Sequence, residues 1–112
     1  MTIREAAKNL AAEIVYDEFE DTELSGAYTS DLLSDVIANA KDGGALITIQ
    51  AHKNTVAVAT LVDITVIIIC NNRPLPDDMI ASAKEQGIAI LLTKENQFTV
   101  SGKLYNLLKS GG

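Results

Sequence analysis

Tryptophan is absent from this 112-residue chain, aromatic residues make up 4% of it, and it holds one cysteine, one histidine and two prolines. Each shortage excludes something. A lone cysteine rules out an internal disulfide and fits a reducing compartment. One cysteine and one histidine cannot furnish a zinc site unaided. No apolar run is long enough to span a bilayer, and Met1-Thr2-Ile3-Arg4-Glu5 lacks the apolar core of a signal peptide, so the expected location is the cytoplasm. Positive charge is scarce as well. Nine Lys and Arg against fifteen Asp and Glu leave a net charge of −6, which argues against a nucleic-acid backbone or an anionic membrane as partner. Five of the acids fall in Asp17-Glu18-Phe19-Glu20-Asp21-Thr22-Glu23, a run that reads as a solvated edge or loop rather than a metal site.

What is present is a 47% hydrophobic composition built from Ile, Leu, Val and Ala, which suits a buried parallel sheet. The length fits a single domain over residues 1–112, with no linker or low-complexity tract. Thr2 to Leu10 reads as a helix with Thr2 as cap and Glu5 at the capping-box position. Ala12–Tyr16 is a short candidate strand. Gly26-Ala27-Tyr28 leads extended into a helix, for which Ser30 is the expected cap and Asp31 the first-turn acid. Leu32, Leu33, Val36, Ile37 and Ala40 are its expected buried stripe, and Asp42-Gly43-Gly44 its stop. Ala45–Gln50 is a strand. Asn54 is the expected cap of a short helix over 55–61, and Ile64–Cys70 is the strongest strand, β-branched enough to lie centrally. Pro76 suits the first position of a helix with Asp77 and Asp78 in its first turn, Met79, Ile80 and Ala83 on its face and Gly87 at its end. Ile88–Leu92 is a further strand. A last helix carries Val100, Leu104, Tyr105, Leu107 and Leu108, with Ser110-Gly111-Gly112 expected to fray.

Strands alternating with helices imply right-handed crossovers and a mainly parallel sheet covered on both faces, an α/β fold. In such sheets ligands sit beyond the carboxyl ends of the strands. That rule selects Thr29, Ser30, Gln50, His52, Lys53, Asn54, Asn71, Asn72, Arg73 and Thr93 as candidate ligand-binding residues. Lys53 and Arg73 either solubilise their loops or, with nearby helix N-termini, hold an anion such as a phosphate. His52 has no carboxylate spaced beside it, so a local hydrogen bond is its expected role. Cys70 ends an intensely apolar strand and reads as a buried, inert thiol. Asp31 and Asp35 share a helix face, which dipole complementation and solvation explain.

No cofactor or metal signature stands out. Gly102-Lys103 resembles the tail of a phosphate-binding loop, but Gln97 stands at its leading glycine and Leu104 at its Ser or Thr. Gly43-Gly44 precedes a strand, on the wrong side for a dinucleotide fingerprint. A non-enzymatic regulatory module is therefore expected ahead of the alternative, a small transferase or hydrolase using His52 with Lys53 and Arg73.

The stretch Gly26-Ala27-Tyr28-Thr29-Ser30-Asp31-Leu32-Leu33-Ser34-Asp35-Val36 resembles the most recognisable motif of DRTGG-domain proteins, especially small stand-alone bacterial members. Ile47–Asn54, Val56–Ala59 with Ile67–Ile69, and Phe98–Tyr105 resemble the rest of that pattern at matching spacing. The resemblance implies a three-layer α/β/α domain akin to the N-terminal domain of HPr kinase/phosphorylase, and a regulatory role. Relatives are fused to CBS-domain pyrophosphatases, where the module takes part in nucleotide-controlled regulation and dimer contacts, or to phosphate acetyltransferases. Stand-alone members are encoded near iron-hydrogenase and NADH-dehydrogenase-like subunits. A homodimer, a small anion or nucleotide as ligand, and a partner enzyme of redox or hydrogenase metabolism are what the resemblance implies. Kinase activity is not implied, because the kinase's phosphate-binding loop is missing. The family's Thr-Gly-Gly is replaced by Cys70-Asn71-Asn72, and its Asp-Arg falls near His52-Lys53. Asparagine tolerates left-handed backbone, so the turn is expected to persist while its amides crowd any approaching phosphate.

Overall fold

The computed structural model describes residues 1–40 and 42–110. A five-stranded sheet runs through the molecule in the order β1-β5-β4-β3-β2, where β1 is Glu13–Ile14, β2 Ala27–Thr29, β3 Ala45–Thr48, β4 Val66–Ile69 and β5 Ala89–Leu92. The four strands β2 to β5 are parallel, and β1 alone runs antiparallel, against β5. Val66 to Ile69 are all fully buried, so the strand with the densest β-branching does occupy the centre.

Each step from β2 to β5 moves one strand in the same direction. Right-handed crossovers then place all three connecting helices on one face. These are α2 (Leu33–Asn39), α3 (Lys53–Leu61) and α4 (Asp77–Gln86). Val36, Val56, Ala59, Met79 and Ala83 pack there on Leu46, Ile67, Ile69 and Ile90. The other face is covered by α1 (Ile3–Asn9) and α5 (Gln97–Ser110), whose Ile3, Ala6, Ala7, Val100 and Leu104 meet Ile47, Ile68 and Leu91. The result is the expected three-layer α/β/α domain. Because the strand order never reverses between β2 and β5, the sheet has no switch point, and the crevice such a reversal opens is missing.

Local chemistry explains most boundaries. Thr2 and Glu5 form the anticipated reciprocal capping box. Gly87 ends α4 in the left-handed region at φ 71°, as a glycine after a helix does cheaply. Asn96 Oδ1 accepts the Thr99 amide at 2.9 Å and starts α5.

Four helices depart from expectation. Helix α2 begins at Leu33, not after Ser30. The Ser30 hydroxyl accepts the Leu32 amide in a tight turn, and Asp31 is drawn away from the helix altogether. The supposed stripe of α2 buries only Val36 completely, while Leu32 and Ile37 are exposed. The helix also stops at Asn39, ahead of Asp42-Gly43-Gly44. His52, not Asn54, caps α3, because its Nδ1 accepts the Asn54 amide at 3.3 Å. Pro76 is the residue before α4 and not its first. In α5, Val100 and Leu104 are buried but Tyr105 faces out. Ser110 is the last residue of α5, and Gly111-Gly112 lie outside the described residues.

Candidate functional site

The carboxyl ends of the parallel strands carry the polar residues singled out in the sequence, but they fall into separate groups. The tightest forms around Asp31, just past β2. Its Oδ1 accepts three hydrogen bonds, from Thr48 Oγ1 (2.8 Å), the Ile49 amide (2.9 Å) and Gln97 Nε2 (2.9 Å). Gln50 joins this knot by donating its side-chain amide to the Asp31 carbonyl at 2.9 Å. The Gln50 carbonyl in turn accepts from Thr55 Oγ1 at the start of α3. Asp31 thus ties together the ends of β2 and β3 and the first turn of α5. Nothing in its local sequence announces this, because its partners lie 17, 18 and 66 residues away.

Asp35 belongs to a different network. It accepts from the Tyr28 hydroxyl at 2.7 Å and from Asn39 Nδ2 at 2.8 Å. Hydrogen bonds from Tyr28, then Ser30 and Asn39, hold its carboxyl below the usual range, and the same contact raises the Tyr28 hydroxyl. The two aspartates therefore form no pair.

Beyond β4, Asn71 and Asn72 take φ of 60° and 49°, so the turn keeps its left-handed backbone without glycine. Their amides are already engaged, Asn71 with the Glu95 carbonyl at 3.0 Å and Asn72 with the Thr93 carbonyl at 2.8 Å. They are not free to cradle a phosphate. Thr93 Oγ1 accepts the Glu95 amide. Asn72 and Thr93 share a cleft of about 400 Å³ with Lys94, Glu13 and Glu95, and Lys94 is a cation the sequence reading passed over. Cys70, at the base of the turn, is fully buried, and burial, aided by Asp31 and Glu95, pushes its thiol up to about 11.

His52, Lys53, Asn54 and Arg73 are exposed. His52 spends Nδ1 on capping, the local role expected of it, and among the described residues no carboxylate is bonded to it. Among the described residues, neither Lys53 nor Arg73 forms an ion pair. Thr29 lies apart from both, its hydroxyl 2.7 Å from that of Ser101 on α5.

A cleft of about 830 Å³ lies at the opposite, amino-terminal end of β2 and β3. Tyr28, Asn39, Ala40, Asp42 and Ile64 line it together with the backbone of Gly26 and Gly44. Sequence periodicity gives no signal for a cavity of this kind.

No protein family's sequence profile matches the chain, and no curated protein does. Among solved structures, it is similar to the CBS and DRTGG domains of the regulatory region of Clostridium perfringens pyrophosphatase, determined in complex with an activator, diadenosine tetraphosphate. The TM-score is 0.73 over 92% of this chain, at 16% sequence identity. The two share a fold. This chain spans 45% of that structure's chain, less than half of it. The three-layer architecture expected from the DRTGG resemblance is thereby matched in a solved regulatory region.

Proposed function

We propose that this protein is a regulatory module that senses a small anionic ligand at the carboxyl ends of its strands, a nucleotide being the leading class. It does so as a homodimer, without chemistry of its own, and passes the signal to a partner enzyme of redox or hydrogenase metabolism. The fold shared with an enzyme's regulatory region supports the role. The observation that carries the site is the two exposed cations Lys53, at the first position of α3 after β3, and Arg73, on the loop after the neighbouring β4, which among the described residues form no ion pair in a chain with net charge −6. The proposed ligand-binding set further includes Ser30, Gln50, His52, Asn54, Asn71, Asn72 and Thr93 past the carboxyl ends of the strands, with Thr29 at the margin. His52, bonded as a helix cap, favours this reading over a general base.

A thermal-shift screen against nucleotides, dinucleoside polyphosphates, phosphorylated metabolites and nicotinamide cofactors tests the proposal. A ligand at about a hundred times its dissociation constant adds ~2.7 kcal/mol, a shift of several degrees in a domain this size. Lys53→Ala and Arg73→Ala are expected to abolish that shift. A shift indifferent to both moves the site elsewhere, and no shift with any compound defeats the small-molecule reading.

A further inference from the structure

We infer that the free edge of β2, with the stripe of α5 beside it, is the face on which a second copy of this chain docks. The inference rests on the homodimer in the reading above and assigns its place. The Gly26 carbonyl accepts from Ala45 and the Ser30 amide donates to Ile47. Strand alternation therefore turns the N–H and C=O groups of Ala27 and Thr29 away from the sheet, onto an edge that pairs with no other strand among the described residues. Ala27 and Thr29 are exposed. An open edge of this kind is a template for another strand.

The surface beside the edge is apolar. A cleft of about 440 Å³ lies between β2 and α5, with Ile47, Tyr105 and Leu108 among its walls. Tyr105 is 66% exposed, and Phe98, two turns earlier on the same stripe, is 88% exposed. Leu32, 64% exposed, joins them at the carboxyl end, since Asp31 beside it bonds Gln97 beside Phe98. Three of the five large exposed hydrophobic side chains among the described residues thus belong to α5 or to the turn just past the end of β2.

Area and charge select the occupant. At about 150–250 Å² for a large side chain, these three leave roughly 400 Å² open to water. A standard interface buries about 800 Å² per partner, so the edge backbone and the cleft walls need to supply only the other half. Two copies at −6 repel unless they meet on neutral surface. Leu24–Ser30 carries no charged side chain, and the one charged residue lining the cleft, Lys109, is a cation whose Nζ lies 5.9 Å from the Tyr105 ring centroid. A three-residue strand offers an extended peptide very little ladder, whereas a second copy brings an identical apolar stripe and meets the edge about a two-fold axis.

Sedimentation velocity of the full chain between micromolar and about 100 µM tests this. The wild type is expected to dimerise, and Phe98→Glu, Tyr105→Glu and Ala27→Pro each to raise the dimer dissociation constant by at least about tenfold. Ala27→Pro removes an N–H that points outward and spares the bonds to β3. Phe98→Glu and Tyr105→Glu alter exposed side chains and keep the test open should the proline variant not fold. Leu61→Glu, an equally exposed position on the opposite helix layer, is expected to leave the dimer intact. A dimer that survives all three edge variants overturns the assigned face but not the dimer. A wild type still monomeric at the top concentration overturns both, while ligand sensing is read separately by thermal shift.

Discussion

Asp31 is the residue on which the strand ends depend most. Replacing it by Ala leaves Thr48 Oγ1, the Ile49 amide and Gln97 Nε2 without their shared acceptor. Hydrogen bonds to a charged group are each worth about 1.5–3 kcal/mol when fully sheltered, and this carboxylate is only half-buried. The expected loss for Asp31→Ala is about 2–4 kcal/mol in urea unfolding. Asp31→Asn, which keeps an oxygen facing the donors, is expected to cost about half as much. Equal losses would show that the charge, not the geometry, holds the knot. Cys70 makes a second prediction. With its thiol raised to about 11 and fully buried, hardly any thiolate exists at pH 8. A thiol reagent should react with the native protein far more slowly than with the urea-unfolded one. Comparable rates would mean that the Cys70 turn opens readily. Cys70 was readable as buried from its place in an apolar run. The role of Asp31 was not, because helix-start chemistry explained it locally while its partners come from three other elements.

At the scale of elements, three helices end alike. After α1, the Ala12 amide reaches the Ala7 carbonyl; after α3, Ile64 reaches Ala59; after α4, Ile88 reaches Ala83. Each needs one left-handed residue. α4 supplies Gly87, whereas α1 uses Ala11 at φ 51° and α3 uses Asp63 at φ 57°. For an L-residue other than Asn or Asp, that conformation costs about 1–2 kcal/mol. Ala11→Gly is accordingly expected to stabilise the protein by about 0.5–1 kcal/mol, net of the flexibility glycine adds to the unfolded chain, and Asp63→Gly by less. A rise in the urea midpoint checks both, and a fall for Ala11→Gly would mean that chain entropy outweighs the strain. The same comparison explains what was legible. Gly87 marks its helix end by residue type, and β4 marks itself by composition. The ends of α1 and α3 carry no such residue. Helix α2 was misread because Ser30, Asp31 and Leu32 suit a helix start equally well as a turn. Only the pull of Asp31 towards β3 decides between them. The Tyr28–Asp35 contact joins β2 to α2 and adds a pH signature. Asp35 is held below its usual range, so its contribution is present above the unfolded carboxylate value and is lost as the pH falls through the lowered folded value. Asp35→Asn should lower stability at neutral pH, where the contribution is present, and cost least in acid, where it is already lost, so the acid limb of the stability profile flattens. An unchanged acid limb would show that other carboxylates set it.

For the whole molecule, a net charge of −6 gives the two proposed binding events opposite responses to salt. An anion held by Lys53 and Arg73 gains Coulomb energy at exposed positions, where screening is effective: the Debye length falls from about 10 Å at 0.1 M to about 3 Å at 1 M. Ligand affinity should therefore drop several-fold across that range, and Arg73→Ala should reduce the slope along with the affinity. Association through a mostly apolar edge, with Lys109 the one charge lining its cleft, gains little from charge attraction and suffers mainly the repulsion between two acidic bodies. Salt relieves that repulsion, so the dimer should tighten, or at least hold, over the same range. Sedimentation and ligand titration on one preparation give both slopes. If the dimer loosens with salt in step with the ligand, an ion pair holds the interface and the apolar β2 edge does not carry the contact. If ligand affinity is indifferent to salt, its recognition does not run through Lys53 and Arg73, and the clefts at the two ends of the sheet become the places to look.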